Sequence, residues 1–552
     1  MQQGSTAEAH GSTPRRWDPR GGHDVTKTLF RHPLATLALA CLVTWALLPT
    51  FVRADGGLVT ALGSPGLQIV CVLLLATLAL AANARGARSH LTSQEVCALL
   101  LATAFLLRAC YVLYTTLLTR QHDAGNLLAY GGHRDYILWF ADNGLSLPDF
   151  SPYSVWSFYN PPLHYVVAGA WVALQRMIGL PTGQALEGAQ FLTLFYSCAF
   201  CVVGYRIMRL MHLDGRALTI PFALLCLSPS LVIMAGSINN DMLCALFMVV
   251  AVEMGLRWWK DPSTKGALAV ALAAGLATAT KTSGALVMPA LLVLFVARLA
   301  RDWGDAAARS QLLRQLGLCA VVFLPIAGLW TLWCALRWDV APGTIQTLGT
   351  DELQYLGTGN YLARCLRVDE TFLSPFVCWD YATGIVESNP TLALLKTALF
   401  DETAFFSDGS VGWWASAALS LVNVGVVAMG VWAGITGTVR ALARRPVDVG
   451  RLSLVVLSVT CLFSYYSFAE QQPFVCTQNV RYVMPLLVSG TTLMGMWLAE
   501  RDGQGDRHDA VADGGLAERG EADLPTRVLS TLTVAFCTLV VIVYLLLGAW
   551  GG

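Results

Sequence analysis

The sequence predicts an all-α polytopic membrane protein, and three observations predict it. Of 552 residues, 55% are hydrophobic and only 13% charged, where a soluble globular chain carries roughly a quarter charged residues. Windows of about 20 apolar residues, enough to cross roughly 30 Å of hydrocarbon, recur along nearly the whole chain. Lysine and arginine gather in alternate connecting segments, the bias that separates cytoplasmic from external loops. The formal net charge is zero, so the overall balance does not point to nucleic acid.

Residues 1–32 are polar and read as a cytoplasmic tail carrying Arg15, Arg16, Arg20, Lys27 and Arg31. The run 33–52 has a longer polar lead and a longer apolar core than a secretory signal, so it reads as a retained signal anchor. With the run 66–84 it forms two additional N-terminal helices within 33–94. Further spans are expected at 95–118, 187–207, 217–236, 241–258, 266–281, 284–299, 315–335, 412–438, 452–469, 482–499 and 529–549, thirteen in all. The main module is 95–335, with an outer loop at 119–186; a second outer loop, 336–411, separates it from the C-terminal helices of 412–499. Residues 500–528, rich in Asp, Glu, Arg and Gly, read as a cytoplasmic flexible loop before the last helix in 529–552.

The stretch 163–180 is just long enough to cross but holds His164, Gln175 and Arg176. If it lies along the outer interface, the basic clusters at Arg85/Arg88, Arg206/Arg209/Arg216, Arg257/Lys260/Lys265, Arg298/Arg301/Arg309/Arg314 and Arg440/Arg444/Arg445/Arg451 all fall inside. If it crossed, every cluster after it would face outward. It is therefore expected to be an interfacial helix, with Tyr165 and Trp171 at headgroup level. Segments 119–186, 336–411 and 470–481 then lie outside. No internal repeat is visible, as it would be in a transporter built from two related halves.

Twelve of the fifteen cysteines lie in apolar runs, where thiols behave as small buried hydrophobes. Cys365, Cys378 and Cys476 fall outside, so one external disulfide with one thiol left over is allowed.

The ionisable residues gather at the outer ends of spans and in outer loops. Asp123 follows the third span beside Arg120 and His122, which places a carboxylate at the membrane surface; it could equally cap a helix or pair with Arg120. Asn160-Pro161-Pro162 is a helix start signal, with asparagine as cap and proline in the first turn. Asp241, in Asn239-Asn240-Asp241, stands at the mouth of its helix as a cap or as a working carboxylate. Lys281 and Arg481 run against the positive-inside trend: they either snorkel to the interface or meet an anion such as a lipid phosphate, with Tyr482 beside them packing on lipid or sugar. His133 and His164, together with Asp123 or Asp135, are the residues that could take a divalent cation, although their spacing has no metal-site signature. In the second outer loop, Trp379-Asp380-Tyr381 and the stretch 391–400 are placed to cover a site.

The first outer loop, with an aspartate after an early span, then GH–Y–I, LPD and FYNPPLHY, resembles that of the membrane glycosyltransferases of the C superfold (GT-C). These include the protein mannosyltransferases of glycosyltransferase family 39 and the bacterial aminoarabinose transferase acting on lipid A. SINNDM before 241–258, ATKTSGALVMP at 279–289 and QNVRYVMP before 482–499 resemble elements of the same fold in the same order. The resemblance covers 95–335 and, in outline, 450–500; it does not type the first two spans, the 336–411 loop or the last span.

The resemblance implies an inverting transfer of a sugar from a polyprenyl-phosphate donor to an external hydroxyl of a glycan, lipid or protein, with no required cofactor. It implies that 95–335 is catalytic and that Asp123 is the base. The family often has an acidic pair at that place, whereas here Asp123 stands alone and Asp135 follows twelve residues later, so the base is open between the two. Asp241 would orient the acceptor or a metal; Lys281, Arg481, Tyr482, His133, Asp135 and His164 would bind substrate. The rival reading is a transporter or flippase of lipid-linked sugars, which needs polar residues deep in several spans.

Overall fold

The computed structural model describes residues 32–57, 64–88, 91–119, 125, 131–443, 447–502 and 523–550. The polar tail and most of 500–528 therefore lie outside the described residues. Besides the short helices Leu48–Phe51 and Thr182–Glu187, the helices in chain order are α1 (Pro33–Ala46), α2 (Ser64–Arg88), α3 (Ser93–Tyr114), α4 (His133–Asp142), α5 (Leu163–Met177), α6 (Gln190–Leu210), α7 (Gly215–Cys226), α8 (Pro229–Gly236), α9 (Asp241–Lys260), α10 (Thr264–Thr280) and α11 (Met288–Arg301). They continue as α12 (Ala306–Trp338), α13 (Tyr361–Leu366), α14 (Pro390–Phe400), α15 (Val411–Ala443), α16 (Val449–Gln471), α17 (Pro485–Arg501) and α18 (Leu524–Trp550). Among the described residues the only sheet is a hairpin pairing Trp379–Asp380 (β1) with Ile385–Val386 (β2).

Every expected span falls on a helix. Ten helices are long and apolar enough to cross a membrane, and two more spans are bent pairs: α7 with α8, at 42°, and Val475–Val483 with α17, at 51°. The remaining one, α10, is 17 residues long. Its alanine-rich sequence lets the backbones of α9 and α12 pack closely on either side. The starts follow from local chemistry. Thr92 and Glu95 form a reciprocal capping box on α3, Ser263 caps α10, and Asp448 caps α16.

One cation lies deep in the bundle, where the sequence pattern did not place it. Arg108 of α3 is fully buried and donates to Ser197 Oγ (2.9 Å), Leu231 O (3.2 Å) and Ala104 O (3.0 Å). Leu231 lies just past the α7–α8 bend, so the guanidinium clamps the broken span.

Helix α5 has 15 residues and does not meet the length of a span. One face buries His164, Tyr165, Ala168, Val172 and Gln175, while Leu174, Met177 and Ile178 are exposed at its far end. Two expectations fail here. Tyr165 is not at headgroup level: it is fully buried, stacked 4.2 Å from Tyr136. Trp171 is turned inward, donating to Gly188 O at 2.9 Å and lying 5.4 Å from Trp45. Nor does Asn160 cap α5; Pro162 stands at the cap, and the Asn160 amide donates to Ser157 O (3.0 Å).

The two long loops expected outside meet at one end of the bundle. Trp330 of α12 donates to Tyr159 O (3.1 Å) and Tyr153 to Thr344 O (3.3 Å), joining the first loop to the second. Helix α14, expected as a cover, packs on α8 and α15 and against the 3₁₀ turn Val480–Val483. A buried pair, Lys396 Nζ to Glu387 Oε2 (2.6 Å), locks it to the chain before it. Among the described residues no disulfide joins Cys365, Cys378 and Cys476, so the allowed external pairing is not formed.

Candidate active site at one end of the bundle

The sequence brings four distant segments to this end. Asp241 is the first residue of α9, and Lys281 is the extended residue where α10 gives way to the 3₁₀ turn Thr282–Val287. The two helix ends are tied by Asn240 Nδ2 donating to Thr280 O at 2.8 Å, and the Lys281 ammonium donates to the Asp241 carboxylate. Asp241 is therefore not a cap. It is a buried anion paired with a cation, at a helix N-terminus whose dipole favours negative charge.

The third segment is the 3₁₀ turn holding Arg481 and Tyr482. The Arg481 guanidinium lies 5.1 Å from the centre of the Tyr482 ring and donates to the Tyr482 hydroxyl at 3.1 Å. Lys281 Nζ lies 5.0 Å from the same ring. One aromatic ring thus holds two cations, an attraction that strengthens when water is excluded. The charge of Arg481 also reaches Asp241.

The fourth segment is the first outer loop. His133 Nδ1 shares a 2.7 Å hydrogen bond with the Tyr165 hydroxyl, the two rings stacked at 5.8 Å, and its charge acts on Asp241. His164 Nε2 donates to Ile238 O (2.8 Å), three residues before Asp241, while its buried Nδ1 has no partner among the described residues. Burial lowers the His164 imidazole to about 4, against the opposing pull of the Ile238 hydrogen bond and the Asp241 charge. It is a neutral ring at physiological pH.

Asp241, Lys281, Arg481, Tyr482, His133 and His164 thus gather in one region. Asp135 does not join them through any contact among the described residues; it pairs with its neighbour Arg134 at 3.3 Å. Asp123 lies outside the described residues. Among the described residues no three His, Cys, Asp or Glu side chains group so as to hold a metal ion.

Three residues here escaped the sequence reading. The Asn479 side-chain amide donates to Asp401 Oδ1 (2.5 Å) and Glu402 Oε1 (2.8 Å), while its oxygen accepts from Arg481 N (2.9 Å). Asp401 ends α14 at φ 55°, ψ −148°, a region costing a non-glycine residue about 1–3 kcal/mol. The charge of Glu402 acts on Tyr482. An acidic turn on α14 therefore sets, through one asparagine, the loop that carries Arg481.

No known family profile and no curated protein matches the chain. Among solved structures it is similar to the oligosaccharyltransferase AglB from Archaeoglobus fulgidus, in complex with an inhibitory peptide and a dolichol-phosphate. The identity is 13% and the TM-score 0.47, over 83% of this chain and 56% of that one. It is also similar to ArnT from Cupriavidus metallidurans in the apo state (18% identity, TM-score 0.34, over 76% of this chain and 80% of that one). The same protein bound to undecaprenyl phosphate gives 17% and 0.34, over 80% and 84%. The chain spans little more than half the length of the archaeal enzyme.

Proposed function

We propose that this chain is an inverting glycosyltransferase of the C superfold, moving a sugar from a polyprenyl phosphate to a hydroxyl of an external glycan, lipid or protein. The observation that carries the reading is the meeting of Lys281 and Arg481 on the Tyr482 ring beside buried Asp241, at a helix end of a membrane bundle. A polyprenyl phosphate is the ligand that reaches such a place with its tail in lipid and its anion at the cations.

In this reading the acceptor oxygen attacks the anomeric carbon, the bond from that carbon to the phosphate oxygen breaks, and the acceptor proton passes to a carboxylate. Asp123 is the base. Asp241 is committed to Lys281 and Asp135 to Arg134, so neither stands ready to take the proton. Lys281 and Arg481 stabilise the departing phosphate, as fixed cations do for charge that develops in a transition state. Asp241 aims Lys281, and Tyr482 packs on sugar or lipid. The N-terminus is cytoplasmic and the site faces outward across the cell membrane, the sidedness that the basic loops favour.

The transporter reading needs polar groups lining a path through the bundle. The deepest cation, Arg108, is sealed, with no exposed surface and with backbone and hydroxyl partners. The deciding experiment gives purified protein in vesicles a radiolabelled polyprenyl-phosphate sugar and an acceptor extract. Release of free polyprenyl phosphate supports the enzyme; movement of intact donor between leaflets without release removes it.

A further inference from the structure

The second outer loop is turned inside out between residues 361 and 373. Leu362, Leu366, Val368, Phe372 and Leu373 are exposed, each between 62% and 78%. Two polar side chains of the same stretch, Arg364 and Thr371, point inward, while Arg367 and Glu370 stay at the surface between the apolar residues. Arg364 is buried, donating to Ser388 O (3.2 Å) and Gln478 Oε1 (3.1 Å). Thr371 is buried, donating to Asp369 (2.6 Å) and accepting at its carbonyl from Lys396 (2.6 Å). Scattered exposed apolar residues are ordinary, but five large ones within the twelve residues 362–373, over a buried arginine and threonine, are not what a loop facing only water shows.

Where this segment sits identifies what covers it. Tyr361 donates its hydroxyl to Tyr466 O (2.9 Å), and Arg364 reaches Ala469 O (3.4 Å). Both carbonyls belong to the last turns of α16, a membrane span ending at Gln471. Phe463, on the same helix one turn before Tyr466, is 74% exposed and so faces lipid. The segment is therefore fastened at the depth where tyrosines mark the boundary between acyl chains and headgroups.

We propose that residues 361–373 form a membrane-inserted foot whose five apolar side chains enter the acyl boundary of the lipid leaflet at this end of the bundle. Short amphipathic elements lie in the interface this way, with apolar faces sunk a few ångströms below the headgroups. The foot would hold the outer loop, and with it α14, at a fixed height above the bilayer. This inference depends on the fold alone and stands apart from the glycosyltransferase reading.

The test places a cysteine at Leu366, Leu373 or Ala382, the last at the exposed hairpin tip, in a full-length chain whose Cys319, Cys365, Cys378, Cys476 and Cys537 are serine. Each cysteine carries the fluorophore NBD, and the protein is placed in phosphatidylcholine vesicles with or without brominated acyl chains. Labels at 366 and 373 should be quenched several-fold more by bromolipid than the label at 382, and shielded from aqueous iodide. Iodide quenching at 366 and 373 equal to that at 382 overturns the proposal. So does shielding from both quenchers, which would mean a protein surface covers the patch.

Discussion

Asp401 accepts a 2.5 Å hydrogen bond from the Asn479 side chain while its own backbone is held at φ 55°. Glu402 takes the amide's second proton, so Asn479 joins two carboxylates that would otherwise repel. Asn479→Asp places a third carboxylate there and should lower stability by about 2 kcal/mol, since both acids lose their donor. Asp401→Asn combined with Asn479→Asp reverses donor and acceptor and should recover most of the loss. A thermal-unfolding cycle over the four proteins measures the coupling, and additive losses would refute the bridge.

Lys281→Met should destabilise the protein by about 3 kcal/mol, because it takes the paired ammonium from buried Asp241 and leaves only the charges of Arg481 and His133 to act on it. Adding Asp241→Asn removes the stranded charge and should restore the unfolding temperature. Release of polyprenyl phosphate should nevertheless stay about 10²-fold down in the double variant, as for the loss of one preorganised charge stabiliser.

Asp123→Asn should reduce turnover by about 10²–10⁴-fold at unchanged stability, the range for a general base. Asp135→Asn, which breaks only the pair with Arg134, should keep turnover within a few-fold of wild type. Rates of polyprenyl phosphate release for the two variants decide which carboxylate is the base.

His164 gives the fold a pH limit. Its folded value of about 4 lies below the unfolded value of about 6.5. The stability it confers is complete above the unfolded value and is lost as pH falls from about 6.5 toward 4, a ceiling of about 3 kcal/mol. The unfolding temperature should fall across that window, and His164→Gln should flatten the fall.

The helices were legible because an apolar run is a one-dimensional signal: thirteen windows coincide with thirteen helices or bent pairs. Lys281 and Arg481 stood out in the sequence because, on the expected sidedness, each breaks a rule that binds its neighbours, a cation at the outer end of a span. Asn479, Asp401 and Glu402 carried no such mark. Polar residues in outer segments are ordinary, and these meet only because α14 packs beside the turn at Val480. Tyr165 and Trp171 misled for a related reason: an aromatic residue on a short amphipathic helix suits the headgroup level and the protein core alike, and packing against Tyr136 and Trp45 decides.

The shortness of α10 bears on how the proposed lipid substrate would reach the cations. Seventeen residues rise about 25 Å, less than the roughly 30 Å of hydrocarbon that a bilayer presents. On the proposed sidedness the helix gives out before the bilayer does, which would set the Lys281 ammonium at its end below the level of the membrane surface. In the proposed reaction a polyprenyl phosphate would lower its anion toward Lys281 while its tail stays in the leaflet, and the sugar would be passed on at the waterline.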